Sequence, residues 1–544
     1  RLLKLDDSLE GLDELNETLE LSGAKLGKGH AELPLYRAPS LDWALSGQSG
    51  VRFNRDDAFR RISRSFHAVK DSEYTPPASL QKVLRKYQRD GYRWLRTLDG
   101  YGMGGILADD MGLGKTVQVL SYLLAMKENG AQRLPSLIVC PASLVLNWAE
   151  ECRKFTPELD CLVVDGDAAH RAALAEQWST ADLVVTSYDL LRRDEERYAG
   201  QAFYACILDE AQAIKNHTTQ KYKAVCRIQS RVRFALTGTP VENRLGELWS
   251  IFSFLMPGYL PPYKSFCARF EKPIVQEEDE AAARRLNQLT GPFLLRRMKA
   301  DVLKELPPKT ENIHRIELEE EQRKLYLAAV VDARDKLRAA KPEDKMAVFA
   351  VLMRLREICC DPRLVADNWT GGSAKLDACI ELVTSAVEGG HRILLFSQFT
   401  SMLELLAQRL DEEGISHFTL QGSTPKPMRA ERVRRFNNGE ASVFLISLRA
   451  GGTGLNLTAA DIVIHYDPWW NVAAQNQATD RAYRIGQQNP VQVYKLIAQD
   501  TIEEKIVELQ QAKQSLAETV TGTADGAILA MKPDELLELL EGEE

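Results

Sequence analysis

The stretch GGILADDMGLGKT, residues 104–116, decides the fold of the first half of this chain. An apolar run leads into a glycine-rich turn, and Lys115 and Thr116 then open the helical stretch VQVLSYLLAM. A strand followed by a glycine-rich loop and a helix is typical of a phosphate-binding site. Its backbone N–H groups face the phosphates, Lys115 reaches the outer phosphates and Thr116 holds Mg²⁺. The stretch therefore predicts a nucleotide site.

The loop departs from the usual G-x-x-x-x-G-K-[ST] pattern at one position. Asp109 stands where the pattern begins with glycine, whereas the part G-x-G-K-T, with Gly112 and Gly114, is intact. A glycine-rich turn with an exposed lysine is the alternative interpretation while this loop is considered alone.

A pair of carboxylates follows a later apolar run, CILDEAQ at 206–212. Asp209 at the predicted strand end would hold Mg²⁺ directly or through water, and Glu210 would orient and deprotonate an attacking water. An Asp-Glu pair alone is more often a solvated turn. Downstream of a phosphate-binding strand, it indicates nucleotide hydrolysis.

Short apolar runs alternate with helical stretches twice, between residues 100 and 240 and again after residue 390. This rhythm predicts an α/β fold with two tandem parallel-sheet lobes, whose ligands should collect at the carboxyl ends of the strands. We divide the chain into an N-terminal accessory segment, a first ATPase lobe, helical protrusions with the inter-lobe linker, a second lobe, and a helix with an acidic tail. The corresponding ranges are 1–75, 76–257, 258–372, 373–500 and 501–544.

Composition excludes several classes of protein. The chain has 544 residues, of which 44% are apolar and 27% charged, as in globular domains. Its net charge of −8 comes from the acidic segment 501–544, which we expect to end in a short exposed helix. The remaining body is neutral, so DNA binding would need local basic strips. Nine cysteines without a C-x-x-C pair predict reduced thiols and no zinc. We find no membrane span or signal peptide pattern and expect a cytoplasmic, nucleoid-associated monomer.

Several motifs occur in an order that resembles the superfamily 2 helicase-like ATPases, and in particular the SWI/SNF-type DNA translocases of bacteria. They are YQRDGYRWL (87–95), DDMGLGKT (109–116), TGTPVEN (237–243), SLRAGGTGLNLT (447–458) and DPWWNVAAQNQATDRAYRIGQ (467–487). The resemblance covers roughly residues 80–515. It implies RecA-like lobes, ATP and Mg²⁺ as cofactors, and double-stranded DNA as partner. The segment TIEEKI, 501–506, resembles the family's brace helix.

The resemblance also assigns residues to the ATP site. Gln88 matches the glutamine that reads adenine, and Gln212 stands where related DEAH-type proteins have histidine. Arg481 and Arg484 match an arginine pair supplied from the second lobe, so hydrolysis would require lobe closure. Gly454 is expected to contact the nucleotide as well. A polar helix position for Gln88 and a surface helix for the arginines are the alternatives.

A DNA track is implied by the same resemblance, with backbone oxygens of DNA held by hydroxyls, amides and arginines irrespective of sequence. Each hydroxyl alone is more often a helix N-cap, and a basic run is usually a solvated face. The predicted DNA-binding residues are Ser143, Thr186, Ser187, Arg296, Arg297, Ser397, Gln398, Gln421, Gly422 and Thr453.

Three functions remain open from the sequence. The first is a DNA-stimulated ATPase that translocates on duplex DNA and remodels bound protein without strand separation. The second is a strand-separating helicase, and the third is a nucleotide-gated DNA-binding or scaffold protein. For the first function, the remodelled partner could be a DNA-bound protein or, as for one relative, RNA polymerase.

Overall fold

A computed structural model describes most of the chain. The described residues are 25–26, 31–32, 35–46, 56–67, 69, 72–238, 245–277, 279–303, 306–339, 345–366, 368–448, 455–469, 472–517, 536–537 and 540. They form two compact units, residues 1–302 (unit 1) and 303–544 (unit 2).

Unit 1 is built on a parallel sheet. The first two strands of unit 1, β1 (Lys25–Leu26) and β2 (Ala31–Glu32), lie outside this sheet and form a separate antiparallel pair. The sheet strands are β3 (Gly105–Leu107), β4 (Ser136–Cys140), β5 (Cys161–Val163), β6 (Leu183–Ser187), β7 (Ala202–Asp209), β8 (Gln229–Leu236) and β9 (Leu294–Leu295). Among the described residues they pair in the order β5-β6-β4-β7-β8-β3-β9, and every pairing is parallel.

Helices connect these strands, as parallel pairing requires crossover connections. The helices described in unit 1 are α1 (Ala38–Ser46), α2 (Asp57–His67), α3 (Lys86–Gly100), α4 (Lys115–Glu128), α5 (Val145–Phe155), α6 (Ala168–Ala175), α7 (Tyr188–Arg193), α8 (Glu195–Gly200), α9 (Gln220–Cys226), α10 (Leu245–Leu255), α11 (Tyr263–Phe266), α12 (Lys272–Gln276), α13 (Glu280–Thr290) and α14 (Lys299–Val302). A π-helical segment, Cys267–Glu271, joins α11 to α12.

Unit 2 contains the second parallel sheet. Its strands are β10 (Lys309–Ile316), β11 (Ile393–Ser397), β12 (His417–Leu420), β13 (Val443–Ser447), β14 (Ile462–His465) and β15 (Val491–Ala498). Within the described ranges they pair in the order β10-β15-β14-β11-β13-β12, again all parallel. The helices described here are α15 (Glu320–Ala339), α16 (Lys345–Cys360), α17 (Ala374–Glu388), α18 (Thr400–Glu412), α19 (Lys426–Asn437), α20 (Val472–Thr479) and α21 (Ile502–Ala517).

The central strands are apolar throughout because both faces of each sheet are covered. In β11, Ile393 and Leu395 belong to one buried cluster, while Leu394 and Phe396 belong to the cluster on the opposite face. Side chains of a strand alternate between faces, so a doubly covered strand is a continuous apolar run. The predicted α/β fold of two tandem parallel-sheet lobes is confirmed.

The segment 258–372 is divided differently from the prediction of one helical region. Its β9 pairs with β3 in the first sheet, and its β10 pairs along its whole length with β15 in the second. The division between units therefore falls between Val302 and Leu303. Strand β10 is hard to predict from KTENIHRI, because it is an edge strand whose residues are mostly exposed.

The C-terminal segment also differs from the expected exposed helix. Leu536 and Leu540 are fully buried in an apolar cluster with side chains of α15 and α16. The Arg334 guanidinium donates a hydrogen bond to the Leu540 carbonyl. Leucines four residues apart can share one face of a helix, and that spacing accounts for the packing.

A buried ion pair fixes α21 to the start of α17. The Lys375 ammonium lies 2.5 Å from Glu503 Oε2, and neither side chain is exposed. Burial is the largest single effect and lowers the pKa of Lys375, but the Glu503 charge, the nearby Cys360 and the hydrogen bond to Glu503 together outweigh it, and the pKa is raised. The same carboxylate oxygen accepts a hydrogen bond from Ala498 N at 2.9 Å.

We expect Glu503→Gln to destabilise unit 2 by ~3–5 kcal/mol, because it leaves the Lys375 ammonium buried without a countercharge. Hydrogen exchange of α17 and α21 across a urea series measures this loss. The double substitution Lys375→Met with Glu503→Leu is the control and should recover most of it, since an apolar pair of similar volume needs no charge compensation. A double variant as unstable as Glu503→Gln would contradict this account.

Candidate functional site

The phosphate-binding loop and the paired carboxylates lie at the same edge of the first sheet. The strands β7, β8 and β3 are neighbours and all run parallel, so their carboxyl ends meet. The loop follows β3, and Asp209 ends β7. A hydrogen bond of 3.2 Å from Thr237 N, just after β8, to the Leu107 carbonyl ties the strand ends together.

Glycine is required at two positions of the loop. Gly112 and Gly114 have φ of 85° and 75°, in the left-handed region that favours glycine. A Cβ at Gly114 would lie 2.5 Å from Gln88 Nε2. Helix α4 begins immediately afterwards at Lys115, whose ammonium donates to the Asp109 carbonyl at 2.6 Å. The Lys115 ammonium thus lies against the backbone of the loop, and its contact with the outer phosphates stays a prediction.

Helix α3 is attached to the loop through two side chains. Gln88 is 4% exposed, and its Nε2 donates to the Leu113 carbonyl at 3.0 Å while its Oε1 accepts from Arg85 N at 2.9 Å. The Tyr87 hydroxyl donates to the same Leu113 carbonyl at 3.0 Å. The structure therefore places Gln88 against the nucleotide loop, and its contact with adenine stays a prediction.

Asp209 accepts three hydrogen bonds at the end of β7, two on its carboxylate and one on its backbone carbonyl. Its Oδ2 accepts from Trp148 Nε1 at 2.8 Å and its Oδ1 from Glu210 N at 2.9 Å, while its backbone carbonyl accepts from the Tyr188 hydroxyl at 2.9 Å. Desolvation, followed by the Glu210 charge, raises the pKa of Asp209 to about 7, and the Trp148 hydrogen bond and Lys115 act in the opposite direction. The hydrogen bonds thus fix the orientation of the carboxylate, while burial and the Glu210 charge disfavour its ionised form.

Glu210 is linked to the end of β8 through Gln212. Glu210 has φ of 49°, a left-handed conformation unusual for a residue with a side chain. Its Oε2 accepts from Gln212 Nε2 at 2.7 Å, and Gln212 Oε1 accepts from the buried Thr237 hydroxyl at 3.0 Å. The glutamine therefore connects the predicted water-activating residue with the TGT segment by using both ends of its amide.

The residues at this edge fit Mg²⁺, which prefers oxygen ligands and is commonly held by one or two carboxylates together with substrate phosphates. Asp209 supplies a carboxylate, and Thr116 supplies a hydroxyl in the first turn of α4. In the described ranges, no group of three or more His, Cys, Asp or Glu side chains could hold a metal alone. Phosphate oxygens of a bound nucleotide would be further ligands of the kind that Mg²⁺ prefers.

In unit 2, Arg481 and Arg484 lie after α20, in a turn rather than on a helix. The Arg481 carbonyl accepts from Leu457 N at 3.1 Å, and Arg484 Nη1 donates to the Leu455 carbonyl at 3.4 Å. The buried amide of Gln487 holds the turn, since its Nε2 donates to the carbonyls of Ala460 at 2.7 Å and Ala482 at 3.1 Å. The alternative of two surface arginines on one helix does not describe this geometry.

The predicted DNA-track hydroxyls of β6 and β11 are buried. Ser187 Oγ accepts from Leu190 N at 3.3 Å and caps α7, as the N-cap alternative anticipated. Thr186 is also buried. Ser397 Oγ donates to Asp467 Oδ1 at 2.6 Å, and Gln398 N donates to the same oxygen at 3.2 Å.

Other track residues are more accessible. Ser143 and Gln421 are half-buried, and Gly422 is exposed. The guanidinium of Arg429 donates to the carbonyls of Gln421 at 3.2 Å and Gly422 at 2.7 Å, which fixes the turn after β12. Thr453 and Gly454 lie outside the described residues.

The two arginines of LLRRMK have different surroundings. Arg296 is exposed, as a DNA-contacting residue should be. The Arg297 guanidinium instead donates to both oxygens of Asp109, at 2.8 Å from Nε, and to Gln118 Oε1 at 2.7 Å. The Arg297 guanidinium forms an internal ion pair because the buried Asp109 carboxylate needs a countercharge, and its DNA contact stays a prediction.

Sequence reasoning missed the role of Trp148 as well as this ion pair. An indole N–H that is buried usually finds an acceptor, but nothing local to Trp148 indicates that the acceptor is Asp209. For Asp109 a signal existed, since an acidic residue at a position normally occupied by glycine requires an explanation.

Comparison with known sequences agrees with these motifs. The SNF2-related domain matches residues 87–364, and the helicase conserved C-terminal domain matches 374–486. The chain belongs to the SNF2-related family. Residues 1–77 match the domain described as bacterial SNF2 helicase associated, so the predicted accessory segment has counterparts in bacterial SNF2 proteins.

Relatives in this family are known from bacteria and eukaryotes. The chain is 39% identical over 462 residues to an uncharacterized ATP-dependent helicase of Mycoplasma genitalium, covering 84% of this chain and 44% of that protein. It is 39% identical over 505 residues to YwqA of Bacillus subtilis, named as an ATP-dependent helicase/translocase, covering 91% and 55%. Human TATA-binding protein-associated factor 172 is 36% identical, covering 86% and 29%. The chain thus spans about half the length of the bacterial relatives.

A solved SWI2/SNF2 ATPase core of Sulfolobus solfataricus in complex with double-stranded DNA is 35% identical. The match covers 83% of this chain and 96% of that one, with a TM-score of 0.42. None of the helices in the described part of this SNF2 chain has the length and apolar character needed to cross a membrane.

The raised pKa of Asp209 predicts a pH-dependent stability of unit 1 in the absence of nucleotide. The carboxyl's pKa moves from 3.8 to about 7 on folding, so the folded chain holds the proton more tightly than the unfolded chain. The free energy of unfolding should fall as pH rises between these values, by at most ~1.4 kcal/mol per unit. Hydrogen exchange of the β7 amides across a urea series measures this free energy of unfolding at each pH. In Asp209→Asn the slope should be smaller, and an unchanged slope would contradict this assignment.

Proposed function

We propose that this chain is a DNA-stimulated ATPase that translocates along double-stranded DNA and remodels or displaces bound protein without separating the strands. The observation that carries the proposal is the placement of Lys115, Asp209 and Glu210 at one sheet edge, with Glu210 connected through Gln212 to Thr237. A site that binds phosphates and also positions a water-activating carboxylate is suited to hydrolysis. Membership of the SNF2-related family supports DNA as the partner.

The residues of unit 1 would divide the work of hydrolysis. Backbone N–H groups after Gly112 and the start of α4 would bind the phosphates, and Lys115 would neutralise their outer charge. Asp209 and Thr116 would hold Mg²⁺, which when bound neutralises charge on the transferring phosphoryl group. Glu210 would orient the attacking water and accept its proton at a carboxylate oxygen.

Arg481 and Arg484 would complete the charge around the phosphates. The hydrogen bonds that fix their turn hold the backbone of both residues in one conformation. A preset guanidinium stabilises phosphoryl transfer without reorganisation during the reaction. We propose that they act from unit 2 on the nucleotide bound by unit 1.

For the DNA track, we propose Arg296 in unit 1 and the exposed turn at Gln421 and Gly422 in unit 2. Contacts of this kind recognise backbone oxygens and not bases, as movement along any sequence requires. Thr186, Ser187 and Ser397 are buried. Ser187 Oγ and Ser397 Oγ accept from the backbone N–H groups of Leu190 and Phe399, so these two serines would support the track by fixing the backbone after each strand.

Phosphate release should be stimulated by duplex DNA and lost in two variants. Lys115→Ala should abolish nucleotide binding, whereas Glu210→Gln should retain binding and lower turnover by ~10²-fold or more. Release is measured without nucleic acid, with duplex DNA, with single strands and with RNA. Glu176→Gln, the same change at an exposed position of unit 1, is the matched control. Negligible turnover of the parent chain under all four conditions would favour the scaffold alternative, and undiminished turnover in Glu210→Gln would contradict the role of Glu210. Release of a labelled strand from a forked duplex would favour the helicase.

Arg484→Ala should lower kcat at saturating ATP and DNA by ~10³-fold, the usual effect of removing an arginine that faces the phosphoryl group. Nucleotide affinity should change little, because the arginine acts on charge that develops in the transition state. Stopped-flow phosphate release and equilibrium titration with Mg·ATPγS separate the two quantities. A loss confined to nucleotide affinity would contradict the proposed role.

A further inference from the structure

A buried ion pair joins the beginning of the nucleotide loop to the last part of unit 1. Asp109 is inaccessible to solvent, and the side chain of Arg297, 188 residues later, is 13% exposed. The Arg297 Nε donates to Asp109 Oδ1 at 2.8 Å, and Nη2 donates to Oδ2. This bidentate arrangement fixes the carboxylate in orientation as well as in charge.

The Arg297 guanidinium also contacts α4 and α3, the helices on either side of the loop in sequence. Its Nη2 also donates to Gln118 Oε1 at 2.7 Å, in the first turns of α4. Its Nη1 donates to the carbonyl of Tyr87, which precedes Gln88 in α3. The loop, the helix after the loop and the helix that carries Gln88 are therefore held by one side chain.

Gly91 leaves the space that this arrangement needs. A Cβ at Gly91 would lie 1.8 Å from Gln118 Oε1 and 2.9 Å from Arg297 Nη2. Glycine inside a helix such as α3 is unfavourable by itself. The absent side chain is thus explained by the contact between Gln118 and Arg297.

Backbone hydrogen bonds strengthen the attachment. Ala108 N donates to the Leu295 carbonyl at 2.7 Å, Asp110 N donates to the Arg297 carbonyl at 3.0 Å, and Lys299 N donates to Asp110 Oδ2 at 2.9 Å. The segment 294–299 therefore runs beside the start of the loop, and unit 1 ends three residues later.

Stability alone is a weak reason for such a pair, since apolar residues of similar volume often serve a core equally well. What apolar residues cannot supply is the directional link among three separate elements. The hydrogen bonds of Arg297 thus indicate that this residue positions the loop, α3 and α4 relative to one another.

We propose that Arg297 is the positioning residue of the nucleotide site, and that it sets the loop, Gln118 and the helix of Gln88 in the arrangement that binds ATP. The proposal rests on the proposed function, since it assumes that this loop binds a nucleoside triphosphate. It assigns Asp109 as the partner that orients Arg297, and it assigns neither residue to DNA contact.

The proposal is tested by comparing variants of Arg297 and of the adjacent Arg296 in their affinities for nucleotide and for DNA. Arg297→Gln should weaken equilibrium binding of Mg·ATPγS by roughly 10- to 100-fold, as expected when binding groups are displaced by about 1 Å. Its affinity for duplex DNA should stay unchanged. Arg296→Gln should show the opposite pattern, and Arg284→Gln, an exposed arginine of unit 1, should change neither. Unchanged Mg·ATPγS affinity in Arg297→Gln, or a loss of DNA affinity alone, overturns the proposal.

Steady-state kinetics separate positioning from a purely structural role. A structural defect lowers the active fraction, so kcat falls while KM for ATP stays constant. Displacement of the loop should instead raise KM for ATP more than it lowers kcat. If KM is unchanged in every folded Arg297 variant, the proposal fails.

Milder substitutions keep the test decisive if Arg297→Gln does not fold. Arg297→Lys retains the charge but not the planar fork, and Asp109→Asn retains the shape but not the charge, so both should weaken Mg·ATPγS binding to a smaller degree. Gly91→Ala should do the same by displacing Gln118. Normal binding in all three overturns the proposal. Binding is measured without hydrolysis, so a parent chain lacking DNA-stimulated turnover would refute the proposed function and leave this comparison valid.

Discussion

In each unit, parallel pairing brings the carboxyl ends of all strands to one edge of a sheet. The order β7-β8-β3 places the phosphate-binding loop, the Asp209 carboxylate and Thr237 next to one another, although they are far apart in sequence. The continuous apolar cores on both faces keep the strands in register, so the loops at that edge are supported by rigid elements. The chemistry depends on this constraint, because Asp209, Glu210 and Thr237 lie at strand ends and the phosphate-binding loop follows β3 directly.

Two aspartates at this edge are stabilised in different ways. Asp109 is compensated by a full positive charge from Arg297, and its position is fixed. Asp209 receives hydrogen bonds from neutral donors, but desolvation, followed by the charge of the neighbouring Glu210, outweighs them and raises its pKa to about 7. A carboxylate without a permanent countercharge is suited to receive a metal ion. This difference supports the proposed roles, in which Asp109 orients Arg297 and Asp209 binds Mg²⁺.

Local patterns carried most of the sequence interpretation. The glycine loop, the Asp-Glu pair and the apolar runs are each contained within about ten residues, so the fold class and the sheet edge follow from them. Contacts between distant segments could not be obtained in this way. Arg297 was assigned to DNA because its segment resembles a signature of the family, and only the folded chain shows Asp109 beside it. The edge strand β10 and the buried Leu540 likewise depend on partners far away in sequence.

The separation of Asp109 and Arg297 along the chain has a consequence for biosynthesis. A ribosome adding ~5–20 residues per second would take about 10–40 s to make the 188 residues between them. During that interval the nascent sheet carries a carboxylate without its guanidinium. The ion pair between Asp109 and Arg297 can therefore form only when translation has reached the border of the second unit, so the phosphate-binding loop acquires its final geometry late in synthesis.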